Sequence, residues 1–245
     1  MKRITIAAVT AVLVTLALGP STPVGTFVPA LQAQAPDLAR LEEALNAAPD
    51  DLKAGNDYRM AVIPAKAYDR AIAFFQKLVT ANPAAANAHL NYGFAYVDKI
   101  PAAGAITQVI LANNALGEFT KSLEIKPSWI GLYTRGNSYL FWPRIFNRTN
   151  LGLADLTEAL KMQKADMKRP HYVRVYLALG DGHWKNDDLV AASNVWREGL
   201  VQYPDSPPLK ARLSKQGEEL RALIEAGYDP AKRVDTSLQD LWSNQ

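Results

Sequence analysis

The sequence predicts an all-α fold, a solenoid of about four stacked helix pairs followed by a C-terminal capping helix. Three segments superimpose without gaps: a small residue is followed four positions later by a large apolar residue and twelve positions later by a proline. These segments run from Ala71 to Pro83, Ala115 to Pro127 and Ala192 to Pro204. Their apolar residues recur at three- and four-residue steps, which is the spacing of one helical face. Each proline ends its helix because it lacks the N–H that would continue it.

Each predicted pair has a first helix and a second helix, and the segments above are second helices. A glycine pattern marks the first helix of three pairs, those whose second helices contain Ala115, Gly152 and Ala192. Gly93, Gly136 and Gly180 each follow a bulky residue by four positions and precede another by three. A glycine at this place lets two paired helices approach closely, while the bulky neighbours fill the groove beside it. The fourth second helix, which contains Gly152 and Leu156, keeps the helical pattern but has no proline at the matching position.

With these residues the protein resembles the tetratricopeptide repeat (TPR) family, whose signature is W-x2-L-G-x2-Y, then A-x3-F, then P. The resemblance covers residues 52–204 and implies a right-handed superhelix with a concave binding surface. Residues 205–227 alternate apolar and charged side chains, which predicts the capping helix. Residues 228–245 are expected to be an irregular tail, in which Leu238, Leu241 and Trp242 dock back on the repeats.

The N-terminus has the pattern of an export signal. Two basic residues precede an uncharged run at residues 4–18, which as a helix spans about 22 Å, less than the roughly 30 Å of a bilayer core. Residues 1–33 are therefore predicted to be a signal peptide, cleaved before Gln34 or Pro36, and residues 34–51 a linker or leading segment. The alternative is a retained anchor that tethers the domain to the inner membrane of a bacterium. Both interpretations place the folded part outside the cytoplasm.

Composition and motifs argue against several functional classes. The protein has no cysteine, which excludes disulfides and thiolate chemistry. Its 27 basic and 24 acidic residues nearly balance, so it lacks the excess positive charge of a nucleic-acid binder. It contains no nucleophile elbow, phosphate loop or H-E-x-x-H motif. We therefore expect neither an enzyme nor a cofactor or metal site. Asp98 and Asp181, the acidic residues expected in the groove, are predicted to be solvated, and His171 is expected to be exposed at a helix start.

The resemblance to TPR proteins also implies which residues face a partner. By alignment with the family, the first helix of each pair lines the concave groove with aromatic, amide and charged side chains. The predicted groove residues are Asn87, Phe94, Tyr133, Asn137, Arg174, Asp181 and Trp184.

Two insertions between paired helices form a second candidate surface. The first, residues 100–117, contains no charged residue. The second, residues 140–148, contains three aromatic residues and two arginines. Insertions in a solenoid fall on one face, so the two are expected to be neighbours. The predicted contact residues of this inserted face are Ile106, Ile110, Trp142, Arg144, Phe146 and Arg148. The alternative is that two longer helices bury these residues against each other.

Together these observations predict a non-enzymatic periplasmic or secreted scaffold. It would bind a protein or peptide through its concave groove or through the inserted face, and peripheral contact with a membrane surface is an additional expectation for the inserted face. The first alternative role is a membrane-tethered assembly factor for an envelope complex, and the second is an enzyme subunit.

Overall fold

The computed structural model describes residues 37–230 and 232–242. The predicted signal peptide or anchor at residues 1–33 and its cleavage site lie outside these residues. Within the described part of the protein the regular structure consists of eleven α-helices and four short 3₁₀ turns, without a β-strand. This confirms the predicted all-α class.

Eight consecutive helices form the four expected pairs, with one helix before them and two after. The helices are α1 (Leu38–Ala47), α2 (Leu52–Ala65), α3 (Tyr68–Ala81), α4 (Ala86–Lys99), α5 (Ala105–Ile125), α6 (Trp129–Tyr139), α7 (Thr149–Lys164), α8 (Val173–Lys185), α9 (Leu189–Gln202), α10 (Pro207–Ser214) and α11 (Gly217–Gly227). The pairs are α2 with α3, α4 with α5, α6 with α7 and α8 with α9, and successive pairs contact each other from end to end of the stack.

Close approach within the pairs explains the spacing of small residues. A Cβ added at Gly152 on α7 would lie 2.7 Å from the carbonyl oxygen of Gly136 on α6. A Cβ added at Gly180 on α8 would lie 2.2 Å from the indole nitrogen of Trp196 on α9. Neither position has room for a methyl group, because core side chains and backbone already fill the space. The small residues of the sequence pattern therefore lie at the positions where paired helices touch.

Both ends of the repeat stack differ from the sequence-based prediction. Residues 34–51, expected to be a linker or leading segment, contain α1, whose start is capped by the Asp37 carboxylate. The inner face of α1 buries Leu38 and Leu45 against α2. The predicted single capping helix is two helices, α10 and α11, separated at Lys215 and Gln216. The protein thus has one helix before the repeats and two after them, and these helices cover apolar surface that the terminal repeats would otherwise expose.

The two insertions take different forms. The first lengthens α5 to 21 residues and begins with a 3₁₀ turn at Ile100–Ala102, whereas α4 keeps an ordinary length. The second is an irregular segment with a 3₁₀ turn at Arg144–Phe146. The alternative of two longer helices is therefore wrong for the second insertion. Among the described helices, none is both long and apolar enough to cross a bilayer.

Candidate functional site

The first helices of the pairs (α2, α4, α6 and α8) are the ones expected to line the concave groove, and the protein's own C-terminal part lies along them. We call residues 228–230 and 232–242 the C-terminal segment. Side chains from all four helices either bond to this segment or share a cavity wall with it. The predicted docking of Leu238, Leu241 and Trp242 is confirmed, since all three pack against side chains of α2, α4 and α5.

A buried arginine anchors the middle of the C-terminal segment. Arg59 on α2 is 1% exposed. It donates to the Asp98 carboxylate at 3.0 Å, to the Asn91 side chain at 3.0 Å and to the Thr236 carbonyl oxygen at 2.9 Å. The Thr236 hydroxyl also donates to Asp98. Burial lowers the pKa of Arg59 while the charge of Asp98 opposes that change. The expectation of a solvated Asp98 is wrong, because an ion pair and a hydroxyl compensate this carboxylate inside the protein.

Leu238 fills an apolar site two residues farther along the segment. Its side chain is 5% exposed and packs with Leu90, Phe94 and Phe119. The Leu238 backbone is left-handed, with φ of 52°. That conformation costs a non-glycine residue roughly 1–3 kcal/mol, an amount that the burial of a leucine side chain can offset. Phe94, predicted to contact a partner, is therefore covered by the protein itself.

The remaining groove carboxylate is also buried. Asp181, expected at a solvated surface, is 1% exposed and accepts two hydrogen bonds from Arg212 on α10, at 2.5 and 2.6 Å. Tyr228, at the start of the C-terminal segment, donates to the same carboxylate at 3.2 Å. Lys185 lies over the Tyr228 ring, and burial lowers the pKa of this lysine. Asp181 thus ties α8 to the residues that follow the repeats and is not available to a partner.

The end of the C-terminal segment contacts the start of α8. Arg174 pairs with the Asp240 carboxylate at 2.5 Å, and the Nδ1 atom of His171 lies 3.0 Å from the Asp240 carbonyl oxygen. The expectation that His171 is exposed is wrong, because this residue is 6% exposed and its ring packs against Trp129 and Tyr172, which also contact each other. Burial lowers the pKa of His171, and the charges of Arg169 and Arg174 lower it further.

The other predicted groove residues have separate environments. Asn87 binds Asp50, where its backbone N–H donates to the carboxylate at 2.6 Å. Trp184 is half-buried against the core formed by the last two repeats. Tyr133 and Asn137 line a cavity between α4, α5, α6 and the C-terminal segment, and burial raises the pKa of Tyr133. The structure therefore brings Phe94, Tyr133 and Asn137 together at one cavity and places Asn87 and Trp184 in other contacts.

This cavity lies between the helices of the second and third repeats and the C-terminal segment. Its volume is about 390 Å³, and its walls come from both insertions, from α4, α5 and α6, and from the C-terminal segment. Most of its lining is apolar, and the apolar or aromatic members include Val97, Val109, Leu116, Phe119, Phe141, Trp142 and Val234. A mostly apolar concave space with a few polar groups is the usual form of a ligand site in proteins.

The inserted face lies at the outer rim of the same cavity. Val109 and Phe146, from the two insertions, line one wall, and Arg148 donates to the Asn113 side chain at 3.0 Å, so the insertions are neighbours as expected. Ile106 is 82% exposed, Ile110 is 54% exposed and Phe146 is 51% exposed.

Other predicted members of this face have structural partners. Trp142 is 9% exposed, with the Arg148 guanidinium 3.7 Å from its ring, and it lines the cavity rather than the open surface. Arg144 pairs with Asp187 at 2.7 Å. The open part of the inserted face is thus its aliphatic strip on α5 together with Phe146.

Within the described ranges, His, Asp and Glu side chains form no group of three that could hold a metal ion. His89 is buried beside Glu118, with 2.6 Å between its Nδ1 atom and the carboxylate. Sequence reasoning missed Arg59, Thr236 and Asp240, because a single arginine or threonine carries no signal of a partner far away in the sequence.

Comparison with known proteins supports the fold. TTC0263, a thermophilic TPR protein of Thermus thermophilus, has a TM-score of 0.53 and 20% identity, over 72% of this protein and 87% of that one. YrrB, described as a TPR protein with an unusual peptide-binding site, has a TM-score of 0.49 and 16% identity, over 82% and 89%. No protein-family model and no curated protein matches the sequence. The first likeness, together with the four stacked pairs, shows that the protein has the fold of TPR proteins.

Proposed function

We propose that this protein is a non-enzymatic interaction scaffold that binds a protein partner through its inserted face. The observation that carries the proposal is an aliphatic strip on α5 with no partner in the described structure: Ile106, Val109 and Ile110 are 82%, 49% and 54% exposed. Positions 106, 109 and 110 lie on one side of a helix. An exposed apolar patch of this kind is typical of a protein-binding surface.

The state of the concave groove favours the inserted face over the groove. Leu238 covers Phe94, and Thr236 occupies the hydrogen-bonding groups of Arg59 and Asp98. A partner peptide would have to displace these contacts, whereas the strip on α5 is free to bind without any rearrangement. Binding in the groove is the second mode, and it requires release of the C-terminal segment.

We further propose that the scaffold works in the periplasm after export. Two basic residues and the uncharged run at residues 4–18 support this location. Fractionation of the tagged protein, with N-terminal sequencing of the soluble form, tests it. A mature N-terminus at Gln34 or Pro36 is the expected result, while an intact N-terminus in the inner-membrane fraction would establish the tethered assembly factor instead.

Substitution on the inserted face tests the scaffold proposal. The full-length protein with Ile106→Ser and Ile110→Ser is expected to lose the partners captured from an envelope extract by the unchanged protein. The matched control has Val190→Ser and Val201→Ser on α9, where the two valines are 73% and 77% exposed. Equal capture by both double variants, with unchanged thermal stability, would contradict a role for the inserted face.

A further inference from the structure

The cavity between the groove and the insertions has polar features that contrast with its apolar walls. Asn137 on α6 lines it, and no hydrogen bond of the Asn137 side-chain amide exists within the described residues. The nearby polar groups of Asp98 and Gln108 are already bonded, to Arg59 and to the carbonyl oxygens of Ile100 and Ala103. An amide without a hydrogen bond therefore borders a mostly apolar space, an arrangement that fixes the orientation of a ligand in many small-molecule sites.

The wall formed by the C-terminal segment adds positive charge. Lys232 and Arg233 are exposed, line the cavity, and form no salt bridge in the part of the protein that the structure describes. Arg233 is close enough for its charge to act on Arg59 in the same direction as burial. Asp98 is neutralised by Arg59. Asp235, the other carboxylate among the described lining residues, is exposed and offsets one of the two cations, so one positive charge remains. The edge of the cavity thus favours a negative group on a ligand.

We propose that this cavity binds a single-chain anionic amphiphile, a fatty-acid carboxylate, with its acyl tail among the apolar walls and its carboxylate near Lys232 and Arg233. The volume of about 390 Å³ exceeds the roughly 150 Å³ of an apolar cavity that holds benzene and falls within the range of small-molecule pockets. The C-terminal segment then serves as one wall of a ligand site as well as the occupant of the groove.

The length of the acyl tail gives the first test, measured by calorimetry on the full-length protein below the micelle concentration of each probe. Octanoate, decanoate and dodecanoate are expected to bind with affinity rising about fourfold for each added methylene group, because each is transferred from water to an apolar wall. Absence of binding, or affinity independent of tail length, would overturn the proposal.

A variant that fills the cavity distinguishes binding inside the cavity from binding at other apolar surfaces. Ala112 on α5 is half-buried and lines the cavity, so Ala112→Leu is expected to weaken dodecanoate binding at least tenfold. Ala73→Leu makes the same change at an exposed position of α3 and should bind as the unchanged protein does. Ile106→Ser, on the inserted face outside the cavity, should also bind normally. Loss of binding in Ile106→Ser with none in Ala112→Leu would assign the amphiphile to the inserted face and overturn the proposal.

The charge of the head group is tested by variants that keep the fold. Lys232→Gln with Arg233→Gln changes two exposed residues and is expected to weaken dodecanoate binding several-fold at low salt while leaving neutral 1-dodecanol unchanged. Lys126→Gln with Lys210→Gln, two exposed lysines away from the cavity, is the matched control. If dodecanoate binds the Lys232 and Arg233 double variant as tightly as the unchanged protein, the ligand is not held by its charge and the proposed class is wrong.

Discussion

The Thr236 carbonyl oxygen accepts a hydrogen bond of 2.9 Å from Arg59, a residue 177 positions earlier in the sequence. This contact joins the C-terminal segment to the first helix of the first repeat, and the Thr236 hydroxyl reaches Asp98 in the second repeat. The protein therefore fills a large part of its concave groove with its own residues. The inserted face and the cavity beside it remain open to other molecules.

Replacing Arg59 by methionine should destabilise the protein strongly. Arg59→Met keeps an unbranched apolar stem but leaves the Asp98 carboxylate buried without its ion-pair partner, a loss of about 3–5 kcal/mol in the free energy of unfolding. Urea denaturation measures it. Arg197→Met, on the exposed surface of α9, should change stability by less than about 0.5 kcal/mol. Similar values for the two variants would show that Arg59 is not the buried anchor described above.

Shortening Leu238 tests the apolar contact of the C-terminal segment. Leu238→Ala retains the left-handed backbone and removes the side chain that offsets its strain, so a loss of about 2–5 kcal/mol is expected. Release of the segment would also expose Phe94 and increase the binding of a hydrophobic dye. Leu189→Ala, at a position that is 59% exposed, is the control. No increase in dye binding together with unchanged stability would contradict docking of Leu238.

Replacing glycine by alanine should have opposite effects on stability at Gly152 and at Gly117. Gly152→Ala places a Cβ 2.7 Å from the Gly136 carbonyl oxygen, and the required separation of α6 from α7 should cost about 1–3 kcal/mol. Gly117→Ala, in the middle of α5 with nothing within 4 Å of the added Cβ, should stabilise by up to about 1 kcal/mol through helix propensity. Thermal unfolding compares them, and a stabilising Gly152→Ala would refute the close approach of these helices.

Mildly acidic pH should lower the free energy of unfolding through protonation of His171. Burial lowers the pKa of His171 below the 6.5 of an unfolded protein, so the unfolded state takes up a proton first as pH falls. Stability is therefore fully present above about pH 6.5 and is lost as pH falls below it. Urea unfolding at about pH 7.5 and about pH 5.5 measures the loss. His171→Asn should lose less stability over this interval, and an equal or larger loss in that variant would contradict the assignment.

The repeat pattern was predictable because it is local. Gly93, Gly136 and Gly180 recur together with the small residues of their partner helices, because the two helices of every repeat must approach closely. The docked tail was predictable in part, since Leu238 and Trp242 are apolar residues in an otherwise polar segment. Its anchoring by Arg59 was not, because a buried arginine inside a helix has the same local sequence as an exposed one.

The inserted face was likewise predictable from the sequence only in part. The uncharged run that contains Ile106 and Ile110 indicated an apolar surface, and the structure leaves that surface exposed. Burial of Trp142 depends on how Arg148 and Phe146 fold back on its ring. That arrangement follows from an irregular segment without periodicity, so sequence spacing could not distinguish it from an exposed tryptophan.

The central claim is that the C-terminal segment lies in the concave groove, and crosslinking tests it most directly. The protein has no cysteine, so Arg174→Cys with Asp240→Cys places the only thiols at residues that are ion-paired in the structure. A short bifunctional maleimide should join them within one molecule. The control, Glu198→Cys with Asp240→Cys, uses a residue paired with Lys164 between the second helices α7 and α9. Efficient crosslinking of the first pair alone is the predicted result, and equal or absent crosslinking in both would contradict the claim.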